Sequence, residues 1–149
     1  MDTGIALAGA LGLCLVGGFL PWMNTEAAVV GAALVLPPPL VPLLVVGAAL
    51  AQVLAKGTVY GLARWAPQGM PRKARARLER VSGLARLRRA PTLTVLASST
   101  VGVPPFYLVT LACGTVAVPF GAFLAAAFVG SVIRYAVLSL ATVLVWGAA

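Results

Sequence analysis

Hydrophobic residues run almost unbroken through this chain, and the prolines and polar residues that interrupt them fall in a repeated order. Pro21, Gly31 and Pro37 open one stretch, and Pro104, Gly114 and Pro119 open another. Ten residues separate the first proline from the glycine in both, and the next proline follows after six residues in one and five in the other. Each set leads into a long apolar segment, 40–63 in the first half and 120–146 in the second. A helix rises about 1.5 Å per residue and a bilayer core is roughly 30 Å thick, so about 20 residues are needed to cross, and both segments are long enough. The segments ahead of them are shorter. Residues 92–101 and 106–118 flank Gly102-Val103-Pro104-Pro105, which cannot continue a helix without losing backbone hydrogen bonds, and they predict a re-entrant hairpin over 92–118. The first half divides likewise into 5–20, a turn at 21–26, and 27–36 ended by Pro37-Pro38-Pro39, which predicts a hairpin over 5–36. Because 5–20 is nearly long enough to cross, a four-span arrangement with both termini inside competes with the re-entrant one there.

Composition turns these segments into a class of protein. With 61% hydrophobic residues, 9% charged residues and a mean hydropathy of +1.03, the chain cannot make an ordinary soluble surface. It reads as an integral membrane protein whose 149 residues form one membrane domain. Nine of the eleven Lys and Arg residues lie between Arg64 and Arg89, against the single acid Glu79, so the net charge of +8 belongs almost wholly to the loop 64–91. The positive-inside rule puts that loop in the cytoplasm. Segment 40–63 then runs inward and segment 120–146 outward, so the repeats 5–63 and 92–146 are upside down relative to each other. The expected fold is an all-α membrane protein, an inverted repeat of re-entrant hairpin plus transmembrane helix, the arrangement that lets a site near the midplane open to either side.

The basic loop excludes one function and leaves another open. No aromatic residue that could stack a base occurs from Pro71 to Pro91, so nucleic acid is not an expected partner. Leu78, Val81, Leu84, Ala85 and Leu87 recur at roughly helical spacing, which predicts an amphipathic helix over Arg72–Arg89 on the inner leaflet; a topology signal alone accounts equally for the charge. Residues 5–20 follow Asp2 with no preceding cation, the wrong sign for a signal peptide, and are expected to be retained.

Few residues could do chemistry inside the bilayer: Asn24, Thr25 and Glu26 in the first turn, Ser98, Ser99 and Thr100 before the second, and Gln52, Lys56 and Arg134 on the long segments. A charge near the centre of a span costs about 2.5–3.5 kcal/mol on insertion scales, so it marks a site until shown otherwise. Arg134 lies about halfway along 120–146, too deep to snorkel easily, and either pairs with Glu26, the only acid in the membrane part of the chain, or binds a ligand. Its planar fork of donors suits a lipid phosphate. Lys56, nearer the cytoplasmic end, either snorkels to headgroups or adds a point charge to the same path. No enzyme is expected. The chain has no His and only Asp2, Glu26 and Glu79 as acids, so neither a metal cluster nor a carboxylate pair can be assembled, and no cofactor is implied. Cys14 and Cys113 stand alone in apolar runs and read as small buried hydrophobes.

The stretch from Glu26 to Arg64 resembles the first half of the DedA family, also called the VTT or SNARE-associated domain. There an acid follows a proline-bearing turn and a helix closes with Gly-Asp-x3-Tyr-x2-Gly-Arg. Here Tyr60 and Arg64 match, Lys56 stands in place of the Asp, and Ala55 and Ala63 stand in place of glycines. Gly102-Val103-Pro104-Pro105-Phe106, followed by Gly114, Pro119, Phe120, Phe123, Gly130, Arg134 and Tyr135, is similar to the family's second hairpin and helix. Ser98, Ser99 and Thr100 occupy a neighbourhood where many members carry arginines. The resemblance implies a lipid translocase, flippase or scramblase-like, moving phospholipid or polyprenyl phosphate in a bacterial cytoplasmic membrane. It adds Tyr60, Arg64, Pro104 and Pro105 to Arg134, Lys56 and Glu26 as candidate transport residues. The missing Asp removes a group tied in the family to proton coupling, so coupling does not carry over. A membrane scaffold docking a cytoplasmic partner through the basic loop is the alternative, and a lipid-modifying enzyme the weaker one. Gly9, Gly12, Gly17 and Gly18 permit close helix approach within the chain or in a homo-oligomer.

Overall fold

A computed structural model of the protein describes residues 2–65, 71–73, 76 and 89–146. All regular structure among the described residues is helical: α1 (Thr3–Phe19), α2 (Thr25–Val35), α3 (Val41–Trp65), α4 (Pro91–Val101), α5 (Phe106–Val116) and α6 (Phe120–Trp146), with a 3-10 turn at Pro38–Leu40 leading into α3. The amphipathic helix expected over Arg72–Arg89 lies outside the described residues apart from 72, 73, 76 and 89.

Local chemistry sets each boundary. Pro21 forces the residue before it out of the helical region, and Leu20 is extended with φ −104° and ψ 115°, which ends α1. Asn24 restarts the chain as the N-cap of α2, its side chain accepting from the backbone N–H of Glu26 and of Ala27 at 3.1 Å each. Pro37 ends α2 in the same way, with Leu36 at φ −79° and ψ 141°. Pro91 sits in the first turn of α4, where its missing N–H costs nothing. Gly102 closes α4 in the left-handed conformation at φ 84°, donating its N–H to the Ser98 carbonyl at 2.9 Å. Ala117 closes α5 at φ 61°, a conformation that costs a residue with a Cβ about 1–2 kcal/mol.

Two compact units are threaded through one another in sequence. The first comprises Met1–Ala55 and Ser131–Ala149, and the second Lys56–Gly130. In the first, α1 packs on α2, and the unit includes α3 up to Ala55 and α6 from Ser131. Small residues bring its helices close. A side chain on Gly18 would collide with Ala55, one on Gly17 with Thr25, and one on Gly47 would meet Leu11 at 2.8 Å. In the second, α4 packs on α5, and the unit includes α3 from Lys56 and α6 up to Gly130. There Gly114 lies against the α3 backbone: a Cβ would sit 2.6 Å from the Tyr60 carbonyl oxygen and 2.7 Å from the Ala63 Cβ.

α3 with its leading turn and α6, of 28 and 27 residues, are apolar and long enough to cross a membrane. Only 33% and 28% of their most apolar windows are buried, whereas the central helix of a soluble protein would be mostly covered. The outward residues Leu43, Val46, Leu50 and Leu54 on α3, and Ile133, Val137, Leu140 and Leu144 on α6, recur at helical spacing and present apolar stripes that lipid would cover. α2, α4 and α5, at 11 residues each, reach only about 16 Å.

Gly31 and Gly114 hold matching places in the sequence repeat but differ in surroundings, since nothing lies within 4 Å of a Cβ built on Gly31. Gly114→Val is expected to lower stability by about 1–3 kcal/mol, and Gly31→Ala to be neutral or up to about 1 kcal/mol stabilising. Thermal unfolding in detergent micelles checks both, and equal melting of the two variants would contradict the close α3–α5 approach.

Candidate functional site

The first unit builds its site at the start of α2. Asn24 caps the helix, and Glu26 falls in its first turn, where a carboxylate is favoured by the helix dipole. Two consecutive residues of α6 meet two consecutive residues of this turn. Arg134 Nη2 forms an ion pair with Glu26 Oε1, and the Tyr135 hydroxyl donates to Thr25 Oγ1 at 3.3 Å. The two bonds differ in exposure. Tyr135 is buried, while the Arg134 and Glu26 side chains keep 27% and 37% of their surface open, so the ion pair can be approached from outside. Cys14 Sγ lies 4.0 Å from the Thr25 carbonyl oxygen, buried and free of any disulfide.

The second unit holds Lys56, Tyr60 and Arg64, spaced by four along one face of α3. Lys56 does not snorkel. It is 3% exposed, and its ammonium lies 4.8 Å from the Tyr107 ring centroid and 5.8 Å from that of Phe106, within cation–π range of both. The Tyr60 hydroxyl donates to the Val118 carbonyl, and its ring lies 4.9 Å from Phe123 and 5.2 Å from Phe120. Arg64 is exposed at the end of α3. Pro104 and Pro105 serve the turn between α4 and α5. The Pro104 carbonyl accepts from the Ser98 hydroxyl at 2.6 Å, and the Pro105 carbonyl accepts from the N–H of Leu108 and of Val109 to start α5.

Of the residues expected to act, the structure therefore joins Glu26 to Arg134 in one unit and sets Lys56, Tyr60, Arg64, Pro104 and Pro105 in the other. Ser98, Ser99 and Thr100 face backbone carbonyls: Ser99 donates to Leu96 and Ala126, and Thr100 to Leu96. Sequence reasoning missed two features. One is the pair of rings at Phe106 and Tyr107 that hold Lys56. The other is a buried polar face on α6, formed by Ser131, Tyr135, Ser139 and Thr142, which the spacing of four, four and three could have revealed. Among the described residues, the Ser139 hydroxyl and Gln52 Oε1 are buried without a hydrogen-bond partner.

Two long helices with outward apolar stripes, short proline-broken helices between them and an ion pair inside define an all-helical membrane protein. A family model described as VTT domain matches residues 20–144, and the chain belongs to this family, also called DedA. No curated protein and no solved structure matches it.

The two lysines of the chain offer a direct check of the Lys56 environment. An amine-reactive reagent on the native protein is expected to label exposed Lys73 and spare Lys56, with both labelled after denaturation. Peptide mass spectrometry reads the result, and equal native labelling would contradict the enclosure of Lys56.

Proposed function

We propose that the protein moves lipids bearing a phosphate, a phospholipid or a polyprenyl phosphate, between the leaflets of a bacterial cytoplasmic membrane. The observation that carries this reading is the Glu26–Arg134 ion pair, partly open and halfway along the longest apolar helix. A guanidinium offers parallel donors that match phosphate oxygens. Glu26 holds it in the absence of lipid, and an arriving phosphate takes the place of Glu26. The exchange keeps the arginine paired at every stage, which lowers the cost of bringing a phosphate into an apolar phase.

The reading includes an inverted repeat. Each unit contains one helical hairpin, the first part of the long helix that follows it in sequence, and the last part of the long helix from the other half. That reciprocal composition supports two structurally equivalent repeats. The length of α4 and α5 supports a hairpin that dips into the bilayer and returns on the same side. The basic loop 64–91 sets the cytoplasmic side. Lys56, closed in by rings, helps hold the second hairpin on α3, and Tyr60 and Arg64 belong with it. The function is transport and not catalysis, since the chain lacks His and has only three acids with which to move protons.

Transport is tested by reconstituting the protein in liposomes with fluorescent lipid and measuring loss of leaflet asymmetry. Wild type is expected to move lipid and Arg134→Ala to lose most of that movement, while neutralising the basic residues of 72–89 leaves it largely intact. The reverse pattern would indicate a scaffold that docks a partner through the loop. The re-entrant reading has its own test in the three tryptophans. Trp22, exposed in the α1–α2 turn, is expected to be quenched best by lipids brominated deep in the acyl chain, and Trp65 and Trp146, exposed at the ends of α3 and α6, by lipids brominated near the headgroup. Single-Trp variants separate the signals, and a shallow Trp22 would favour four full spans.

A further inference from the structure

The buried hydroxyls of this chain differ between the units in how they are satisfied. In an apolar interior a helical hydroxyl has a ready partner, the backbone carbonyl three or four residues earlier. In the second unit Thr100, Thr110 and Thr115 take it at 2.7, 2.8 and 2.8 Å, and Ser98 and Ser99 also donate to carbonyls. In the first unit Thr142 donates to the Leu138 carbonyl at 2.7 Å, and Tyr135 donates to Thr25. Ser139, between them on the same buried face of α6, makes no such bond. It is fully enclosed, and its hydroxyl oxygen has no partner in the protein. The other such atom among the described residues, Gln52 Oε1, also belongs to the first unit, and it faces α1 where a Cβ on Gly18 would stand 3.1 Å away.

An enclosed hydroxyl with no protein partner is costly, and native interiors complete such groups with a bound water or an ion. Chemistry chooses between the two. Ser139 has a proton to give and Gln52 Oε1 has only lone pairs to offer; water meets both needs, whereas a metal cation meets only the lone pairs. Charge opposes a cation as well, since Arg134 stands five residues before Ser139 and Lys56 four residues after Gln52. The helix spacing suits a water. Side chains three apart on a helix start about 5–6 Å from each other, and a water about 2.7–2.8 Å from each of two hydroxyls spans that gap. Thr142, three residues beyond Ser139, has spent its proton on Leu138 and keeps lone pairs for the water. The backbone carbonyl of Tyr135, four residues before Ser139, has a second lone pair free of the helix ladder and completes the set of about three partners that a buried water uses.

We infer that the first unit encloses a bound water on the inner face of α6, held by the hydroxyls of Ser139 and Thr142, while the interior around Cys113 in the second unit is dry. The site lies one turn beyond Tyr135, whose hydroxyl bonds Thr25 beside Glu26, so the water stands on the face of α6 that meets the start of α2 and not on the lipid-facing stripe. The inference does not rest on lipid movement and stands or falls separately from it.

Infrared spectroscopy of the whole chain in liposomes moved into D2O reads the site through the S–H stretch of a single thiol. Cys14 and Cys113 are buried and free, so each is removed or kept as needed. With Cys14→Ala and Cys113→Ala in place, the thiol introduced by Ser139→Cys is expected to exchange its hydrogen for deuterium soon after transfer. The thiol of Cys113, observed in Cys14→Ala alone, is expected to keep its hydrogen far longer. Thermal unfolding gives a second reading with a sign. Ser139→Ala is expected to lower the melting temperature by about 2–4 °C, the scale of one lost hydrogen bond, whereas removal of a hydroxyl with no bound water would raise it. If Ser139→Cys fails to fold, the melting of Ser139→Ala decides. Equal exchange at the two thiols, fast or slow, or a melting temperature that is unchanged or raised in Ser139→Ala, would overturn the inference.

Discussion

A helix that breaks inside an apolar phase must find partners within the protein for the amides and carbonyls it releases, because no water is there to take them. On the re-entrant reading proposed above, that constraint organises this chain. It breaks after Phe19, after Val35, after Val101 and after Val116, and some of the groups at each break are bonded locally. Asn24 takes two N–H groups at the start of α2. The Ser98 hydroxyl bonds the Pro104 carbonyl across the α4–α5 turn, while Gly102 bonds back to the Ser98 carbonyl. Val118 N–H returns to Cys113, and the Val118 carbonyl accepts from the Tyr60 hydroxyl on α3. Proline helps by removing donors where they would be hardest to satisfy.

Charge obeys the same rule, with two different solutions. Arg134 is matched by a carboxylate, and the pair is partly open. Lys56 is held against the faces of Phe106 and Tyr107, and the result is closed. An aromatic ring attracts a cation without adding an opposite charge, so it suits a cation that stays in place. A carboxylate partner is replaceable by another anion. The contrast is why we propose ligand exchange at Arg134 and a holding role for Lys56, although both are cations in long apolar helices.

Much of this was legible in the residues. The prolines mark the ends of α1, α2, α4 and α5, and the long apolar runs after Pro39 and Pro119 are the two long helices, with Pro42 tolerated in the first turn of α3. The Glu26–Arg134 pair could be anticipated because Glu26 is the only acid in the apolar part of the chain, which leaves Arg134 little choice. What could not be read depends on contacts distant in sequence. Phe106 and Tyr107 lie about 50 residues beyond Lys56, and no spacing along the chain connects them. Ser98, Ser99 and Thr100 read, from sequence, as candidates for chemistry inside the bilayer. They are instead turned onto backbone carbonyls, a choice open to any hydroxyl in a helix and invisible in composition. Gly31 and Gly114 occupy matching places in the repeat, yet only Gly114 touches a neighbouring backbone. A repeated sequence pattern preserves where the chain turns, while packing on each side is set by residues that have diverged.

The threading of the two units has a consequence for assembly. The second unit is continuous, Lys56–Gly130, and all its contacts can form once that stretch has been made. The first is discontinuous, and Glu26 meets Arg134 only after more than a hundred intervening residues are in place. Until then Glu26 is a carboxylate without its cation in an apolar hairpin, a state that favours the hairpin tip staying near water. Arrival of α6 removes that penalty and adds the Tyr135–Thr25 bond at the neighbouring position. The pair thus has the large sequence separation that goes with slow, late-forming contacts. On the proposed function, its partial exposure is what lets a headgroup phosphate reach Arg134 and take the place of Glu26.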